Sequence, residues 1–205
     1  MKTVAFVTCS TKPALAPDDL LAAQQLANSG VHVVAQPWDT PADWTRFDLV
    51  LLRSCWNYHL HPEAFSTWIE QCHQQQVPLC NDATLVKWNM HKSYLHELQM
   101  KGVAVPPTTW LNKGVSISLT ALMDRHDWSE VVVKPAVSAT AFQTMRVKRT
   151  DAENHQGEFD RLLADRDVLV QQFMPEVQTS GEWSLLFFDK KFSHAVLKRP
   201  KANDF

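Results

Sequence analysis

The stretch Val131-Val132-Val133-Lys134-Pro135-Ala136-Val137-Ser138-Ala139 decides how the rest of the chain is read. Three β-branched residues run into one lysine, a proline closes the run, and small residues follow. An apolar run bounded by proline reads as a short buried strand. A lysine at the end of such a strand is costly to bury unless an anion sits beside it. The small residues behind it could fold a backbone-lined lid over that anion. On this stretch alone Lys134 either grips phosphate or snorkels out of a strand end, and snorkelling is the ordinary outcome.

The whole-chain numbers narrow the classes. At 205 residues, 45% apolar and 20% charged, the composition is that of a globular protein of one large or two small domains. A net charge of −2 gives no basic field for nucleic acid. No apolar run approaches the roughly 20 residues of a membrane helix. Met1 to Val7 reads as a first strand and not as a signal peptide. Cys9, Cys55, Cys72 and Cys80 lack C-x-x-C spacing, so reduced thiols and a cytoplasmic location are expected.

Upstream of Lys134, strands are expected over residues 3–9, 31–38, 47–53 and 77–80, with helices over 18–30 and 62–76. That alternation predicts a parallel sheet packed by helices. Ligands of such sheets bind beyond the carboxyl ends of the strands, where Ser10 to Lys12 and Arg53 to Tyr58 lie. One long helix is expected from a cap at Asn81 or Asp82 to a stop at Gly102. Lys92 falls on its apolar stripe with Leu85, Trp88, Leu95 and Leu98. A stiff segment with Pro106 and Pro107 and a helix over 118–126 lead to the Lys134 strand. Beyond it the pattern gives a return strand over 144–148, a helix over 158–164, a strand over 168–175, and a hairpin of 182–188 with 192–198. Period-2 counting puts Glu182, Ser184, Leu186 and Phe188 on one face. The second half is therefore α+β with antiparallel pairing.

Only 5 glycines occur, and none forms G-x-G-x-x-G, a Walker loop or a G-x-S-x-G elbow. His59, His61, His91 and His96 lack H-E-x-x-H spacing. What remains is Lys92 and Lys134 on separate elements, a glutamine-bearing strand end and Glu182. Two cations can neutralise phosphates. Backbone groups and glutamine near Gln171 to Met174 can read an adenine, and a carboxylate can take two ribose hydroxyls.

In this order the features resemble the ATP-grasp superfamily, closest to its glutathione-synthetase-like branch and its cycloserine-forming relatives. The resemblance covers most of the chain. Asn89-Met-His-Lys92-Ser-Tyr-Leu, then Gly102-Val-Ala-Val-Pro-Pro-Thr-Thr109, is similar to the family's lysine helix and the signature after it. Val132-Val-Lys134-Pro resembles the second phosphate lysine. Ala136 to Thr140 resembles the phosphate-covering loop, here without glycine and so expected to be stiffer. Val170-Gln-Gln-Phe-Met-Pro175 resembles the hinge strand at adenine, and Ser180-Gly-Glu182 the ribose turn. His194 to Pro200, then Asp204 and Phe205, resembles the approach to the substrate.

The resemblance implies an N-terminal parallel-sheet α/β domain followed by α+β ATP-grasp subdomains with antiparallel sheets. Its expected parts are an α/β domain over 1–80, linking helices and an extended segment over 81–130, a small nucleotide-binding subdomain over 131–175, and the start of a further subdomain over 176–205. It implies an ATP- and Mg2+-dependent ligase that joins a small-molecule carboxylate to an amine through an acyl phosphate. Family members often dimerise, which leaves a homodimer open. By carry-over, Lys92, Lys134 and Ser138 hold phosphates. Gln171, Phe173 and Met174 contact adenine, the last two through the backbone, and Glu182 holds ribose. Arg53, Ser54 and Asn57 meet the carboxylate substrate, with Asn57 standing where relatives often carry an acid. Arg199 meets the transferred phosphoryl group. The magnesium ligands are expected beyond Phe205, so the 205 residues are expected to be part of a longer enzyme or a form that no longer turns over. The rival expectation is a non-catalytic nucleotide-binding or interaction module that lacks the metal-ligand region.

Overall fold

The computed structural model describes residues 1–199, and these form two units. The first comprises Met1–Ala104 and Lys134–Gln143, the second Val105–Val133 with the chain after Thr144. This division differs from the expected four parts. The helices before Ala104 and the segment after Lys134 both pack with the N-terminal sheet unit.

In the first unit, β1 (Lys2–Thr8), β2 (Val31–Pro37), β3 (Leu49–Leu52) and β4 (Leu79–Cys80) make one parallel sheet in the order β2-β1-β3-β4. Helices α1 (Pro17–Asn28) and α2 (Pro62–Gln74) supply two of the crossovers that parallel pairing requires. Each has proline in its first turn, where the missing N–H costs nothing. The near-continuous apolar run of β1 is buried from Val4 to Val7. Trp38, Trp44, Phe65 and Trp68 form an aromatic cluster in this core, with ring centroids from 4.9 to 6.2 Å apart.

The long helix expected over 81–102 is two helices, α3 (Ala83–Met90) and α4 (Tyr94–Met100). Asp82 caps α3 through the N–H groups of Thr84 and Leu85. The break falls at His91-Lys92-Ser93. His91 is extended, and the Lys92 N–H donates to the Ala136 carbonyl instead of to a carbonyl within its own helix. No glycine or proline marks that break, because a distant backbone acceptor causes it. The expected stripe is broken with it: Leu85 and Trp88 are exposed.

In the second unit, β5 (Thr108–Leu111), β6 (Glu130–Pro135), β7 (Met145–Lys148) and β8 (Val168–Gln172) form a sheet in the order β5-β8-β6-β7. The β5–β8 and β6–β7 pairs are antiparallel. Helices α5 (Leu119–His126), capped by Ser118, and α6 (Ala152–Asp165) cover its core of Val131, Val133, Val147, Phe159, Val168 and Val170. A short α7 (Glu176–Thr179) precedes the antiparallel hairpin of β9 (Glu182–Phe188) and β10 (Lys191–Lys198). Trp183, Leu185, Phe187 and Phe192 are exposed on that hairpin. The α/β unit and the antiparallel sheets are the architecture expected from the sequence.

The four cysteines are free thiols. Burial pushes Cys55 up to about 12 and Cys72 up to about 11. Among the described residues no helix is long and apolar enough to cross a membrane.

Candidate functional site

Lys92 and Lys134 both lie in the first unit, Lys92 at the α3–α4 break and Lys134 near the end of β6. The Lys92 ammonium donates to the carbonyl and to the Oγ of Ser138, each at 2.9 Å. With the bond from the Lys92 N–H to Ala136, this pins the lid segment at two points. Phe142 packs edge-on against His59 with centroids 5.0 Å apart. Burial lowers the His59 pKa against a backbone hydrogen bond at Trp56, and the Lys92 charge lowers it further.

The lid has no glycine, yet Thr140, Ala141 and Gln143 all have φ between 50° and 55°. Left-handed backbone of this kind is unfavourable for residues with a Cβ. The lid therefore sits in a strained backbone conformation.

Burial, and next the Lys134 charge, pull Lys92 down from 10.5 to about 8. Lys92 is thus a partly buried cation within reach of a second positive charge. The sign of the linkage is definite. The folded pKa lies below the unfolded one, so the unfolded chain binds more protons, and this group's penalty fades as pH rises from about 8 to 10.5. A phosphate bound beside Lys92 would restore its charge. Nucleotide binding should therefore take up close to one proton between those pH values and almost none at pH 6. Calorimetry in buffers of different ionisation heat measures this uptake.

Beyond the carboxyl end of β3, Arg53 is fixed by Asp19 on α1. Its Nε and Nη2 approach Asp19 Oδ1 at 2.7 and 2.6 Å, while Ser54 Oγ donates to Oδ2 at 2.6 Å. Asp19 is 2% exposed, whereas the Arg53 side chain is 40% exposed. Asn57 is buried: its Oδ1 accepts from Trp38 Nε1 at 2.8 Å and its Nδ2 donates to Asp39 at 2.7 Å. Asp39 also takes the Ser10 backbone N–H at 2.7 Å. Burial works against the Asp39 charge, but bonds from Ser10 and Asn57 outweigh it and lower its pKa. Of the three expected carboxylate contacts, Arg53 keeps an exposed edge. Ser54 and Asn57 are occupied in holding the loop.

A cavity of about 570 Å3 opens beside Arg53, and all of its lining belongs to the first unit. Trp56, Tyr58, Phe65, Leu85 and Met90 form much of its wall, and Ala139 of the lid closes one side.

In the second unit, Gln171 Nε2 donates to Thr108 Oγ1 at 2.9 Å. The Phe173 N–H donates to the Glu130 carbonyl, so this N–H is already engaged. Its ring lies under Arg146, whose Cζ is 3.8 Å from the centroid, and Arg146 forks onto Glu130. The Met174 carbonyl accepts from Val177. Glu182 is exposed and pairs across the hairpin with Lys198, beside exposed Arg199. Pro200, Asp204 and Phe205 lie outside the described residues.

Gly181, in the expected ribose turn, has φ +84, and a Cβ there would lie 2.6 Å from the Lys198 carbonyl oxygen. Gly181→Ala should cost at least about 1–2 kcal/mol locally, read as faster hydrogen exchange of the β9–β10 amides. Unchanged exchange would mean that the turn relaxes freely.

Asp19, Asp39 and the Glu130–Arg146 pair were not legible as site residues. Asp19 reads as an ordinary first-turn acid. The available signal for Asp39 was its place just past the end of β2.

The parallel-sheet unit and the antiparallel sheet with its hairpin make up a fold shared with ATP-grasp proteins of known structure. The chain aligns over 84% of its length with an ATP-grasp RimK domain protein from Sphaerobacter thermophilus (TM-score 0.63, 19% identity, 64% of that chain). It aligns over 100% of its length with the D-alanine–D-alanine ligase of Bacillus anthracis in complex with ATP (TM-score 0.66, 14% identity, 68% of that chain). Residues 4–81 match the model of the N-terminal domain of D-cycloserine synthetase DcsG. The crystal structure of D-cycloserine synthetase DcsG superposes with TM-score 0.83 at 30% identity, covering 96% of this chain and 68% of that one. The chain belongs to this DcsG family within the ATP-grasp superfamily. It is 34% identical over 175 residues to the cycloserine biosynthesis protein DcsG of Streptomyces lavendulae, covering 82% of this chain and 58% of that protein. The chain thus spans about 58% of the length of this curated relative.

Proposed function

We propose that the chain binds ATP and serves an ATP-dependent carboxylate–amine ligase. The observation that carries this reading is the paired lysines, with Lys92 partly buried, depressed to about 8 and joined to the lid through Ser138. Kinship with DcsG and the fold shared with D-alanine–D-alanine ligase support it.

In this reading Lys92 and Lys134 neutralise the triphosphate. Gln171, Phe173 and Met174 meet adenine, Glu182 meets ribose, and Arg199 meets the transferred phosphoryl group. A carboxylate oxygen of the substrate attacks the γ-phosphorus, and the bond to the β-phosphate oxygen breaks to release ADP. The amine nitrogen then attacks the acyl carbon, loses a proton, and inorganic phosphate departs. The protein contributes position and charge more than covalent chemistry. Among the described residues no group of three or more His, Cys, Asp or Glu could hold a metal, so no step is assigned to magnesium.

Incubation with ATP, an 18O-labelled carboxylate and an amine should place one label in the released phosphate. ADP release without label transfer would contradict the acyl phosphate. Nucleotide binding with no turnover would instead favour a non-catalytic nucleotide module.

A further inference from the structure

The cavity beside Arg53 has a chemistry that the family's phosphate lysines do not explain. Its wall carries the aromatic and apolar side chains of Trp56, Tyr58, Phe65, Leu85 and Met90 beside Asn81 and Asn89, and no carboxylate of the described residues lines it. Among the described residues its one formal charge is Arg53. The guanidinium is fixed by Asp19, itself locked by Ser54, so its direction is set before any ligand arrives. Its exposed edge remains available to a second anion. Trp56 is 48% exposed although it borders a cavity of small-molecule size. A large aromatic surface left in water beside an apolar cavity gains by covering. Ala139 in the wall is the neighbour of Ser138, which Lys92 holds, so the cavity adjoins the phosphate lysines.

We infer that this cavity takes a carboxylic acid bearing an aromatic group, with the carboxylate toward Arg53 and the ring against Trp56. The inference deepens the ligase reading by naming the class of acid to be activated. Binding of such an acid does not itself require that reading.

The test is calorimetric titration of the 205-residue chain, with and without saturating ADP, using 3-phenylpropionate, 3-phenylpropanamide and propionate. The acid with the ring should bind at least ten times more tightly than either comparator. Trp56→Ala should erase its advantage over propionate. The amide comparison reads the role of charge on the unaltered chain, since Arg53→Gln also disturbs the Asp19 pair. Equal affinity for 3-phenylpropionate and propionate, or for acid and amide, overturns the inference, as does no binding in either series. ADP binding without the aromatic preference overturns the cavity assignment and leaves the ligase reading standing. Preference for the aromatic acid without ADP binding does the reverse.

Discussion

Asp19→Ala should destabilise the protein by roughly 2–4 kcal/mol, below the full range for a broken buried ion pair because Arg53 can turn toward water. Asp19 is buried on α1 and takes hydrogen bonds from Arg53 and Ser54. Its loss leaves the buried Ser54 hydroxyl without its acceptor and the guanidinium without its anchor. An unpaired buried donor adds its own desolvation cost. The end of β3 and the start of α1 meet through these bonds, so the loss should appear as a lower denaturation midpoint at unchanged slope. Asp19→Asn should fall between, because its amide oxygen still accepts one bond. A loss under about 0.5 kcal/mol, the size expected of an ordinary surface change, would show that the carboxylate has no structural role.

Lys92→Met should have the largest effect on binding. In the proposed site Lys92 supplies one of two clamp charges, and its ammonium also holds the lid through Ser138. A charge-assisted contact contributes about 1.5–3 kcal/mol, which is roughly ten- to a hundredfold in affinity. Freeing the lid adds an ordering cost on top. Its left-handed residues Thr140, Ala141 and Gln143 stay in place only while neighbours hold them. The variant should therefore bind ADP at least about a hundredfold more weakly and be cleaved faster by protease within residues 136–143. Lys134→Ala should weaken ADP binding strongly without the new cleavage. Equal cleavage in both variants would remove the lid from the role of Lys92.

The fold was legible where local pattern and tertiary structure agree. The β-branched runs of β1, β6 and β8 are buried strands because apolar surface of that kind must be covered. The hairpin at Asp189 and Lys190 was also legible, and both residues have positive φ. The α3–α4 break was not, since nothing local interrupts the helix. It exists because Lys92 gives its N–H to Ala136. The nearness of Lys92 and Lys134, whose charges act on one another, was expected from their order along the chain. The Asp19–Arg53–Ser54 group was half legible: Arg53 and Ser54 stood at a strand end, but their partner lay on a helix whose acids look generic. The aromatic cavity was invisible, because Trp56, Phe65 and Leu85 come from three segments that only folding brings together.

The central claim is that Lys92 and Lys134 clamp the phosphates of a nucleotide. Calorimetric titration of the 205-residue chain with ADP tests it most directly. The account predicts saturable one-to-one binding that inorganic pyrophosphate displaces and the double change Lys92→Met with Lys134→Met abolishes. No saturable heat, or an affinity unaltered by the double change, would contradict it.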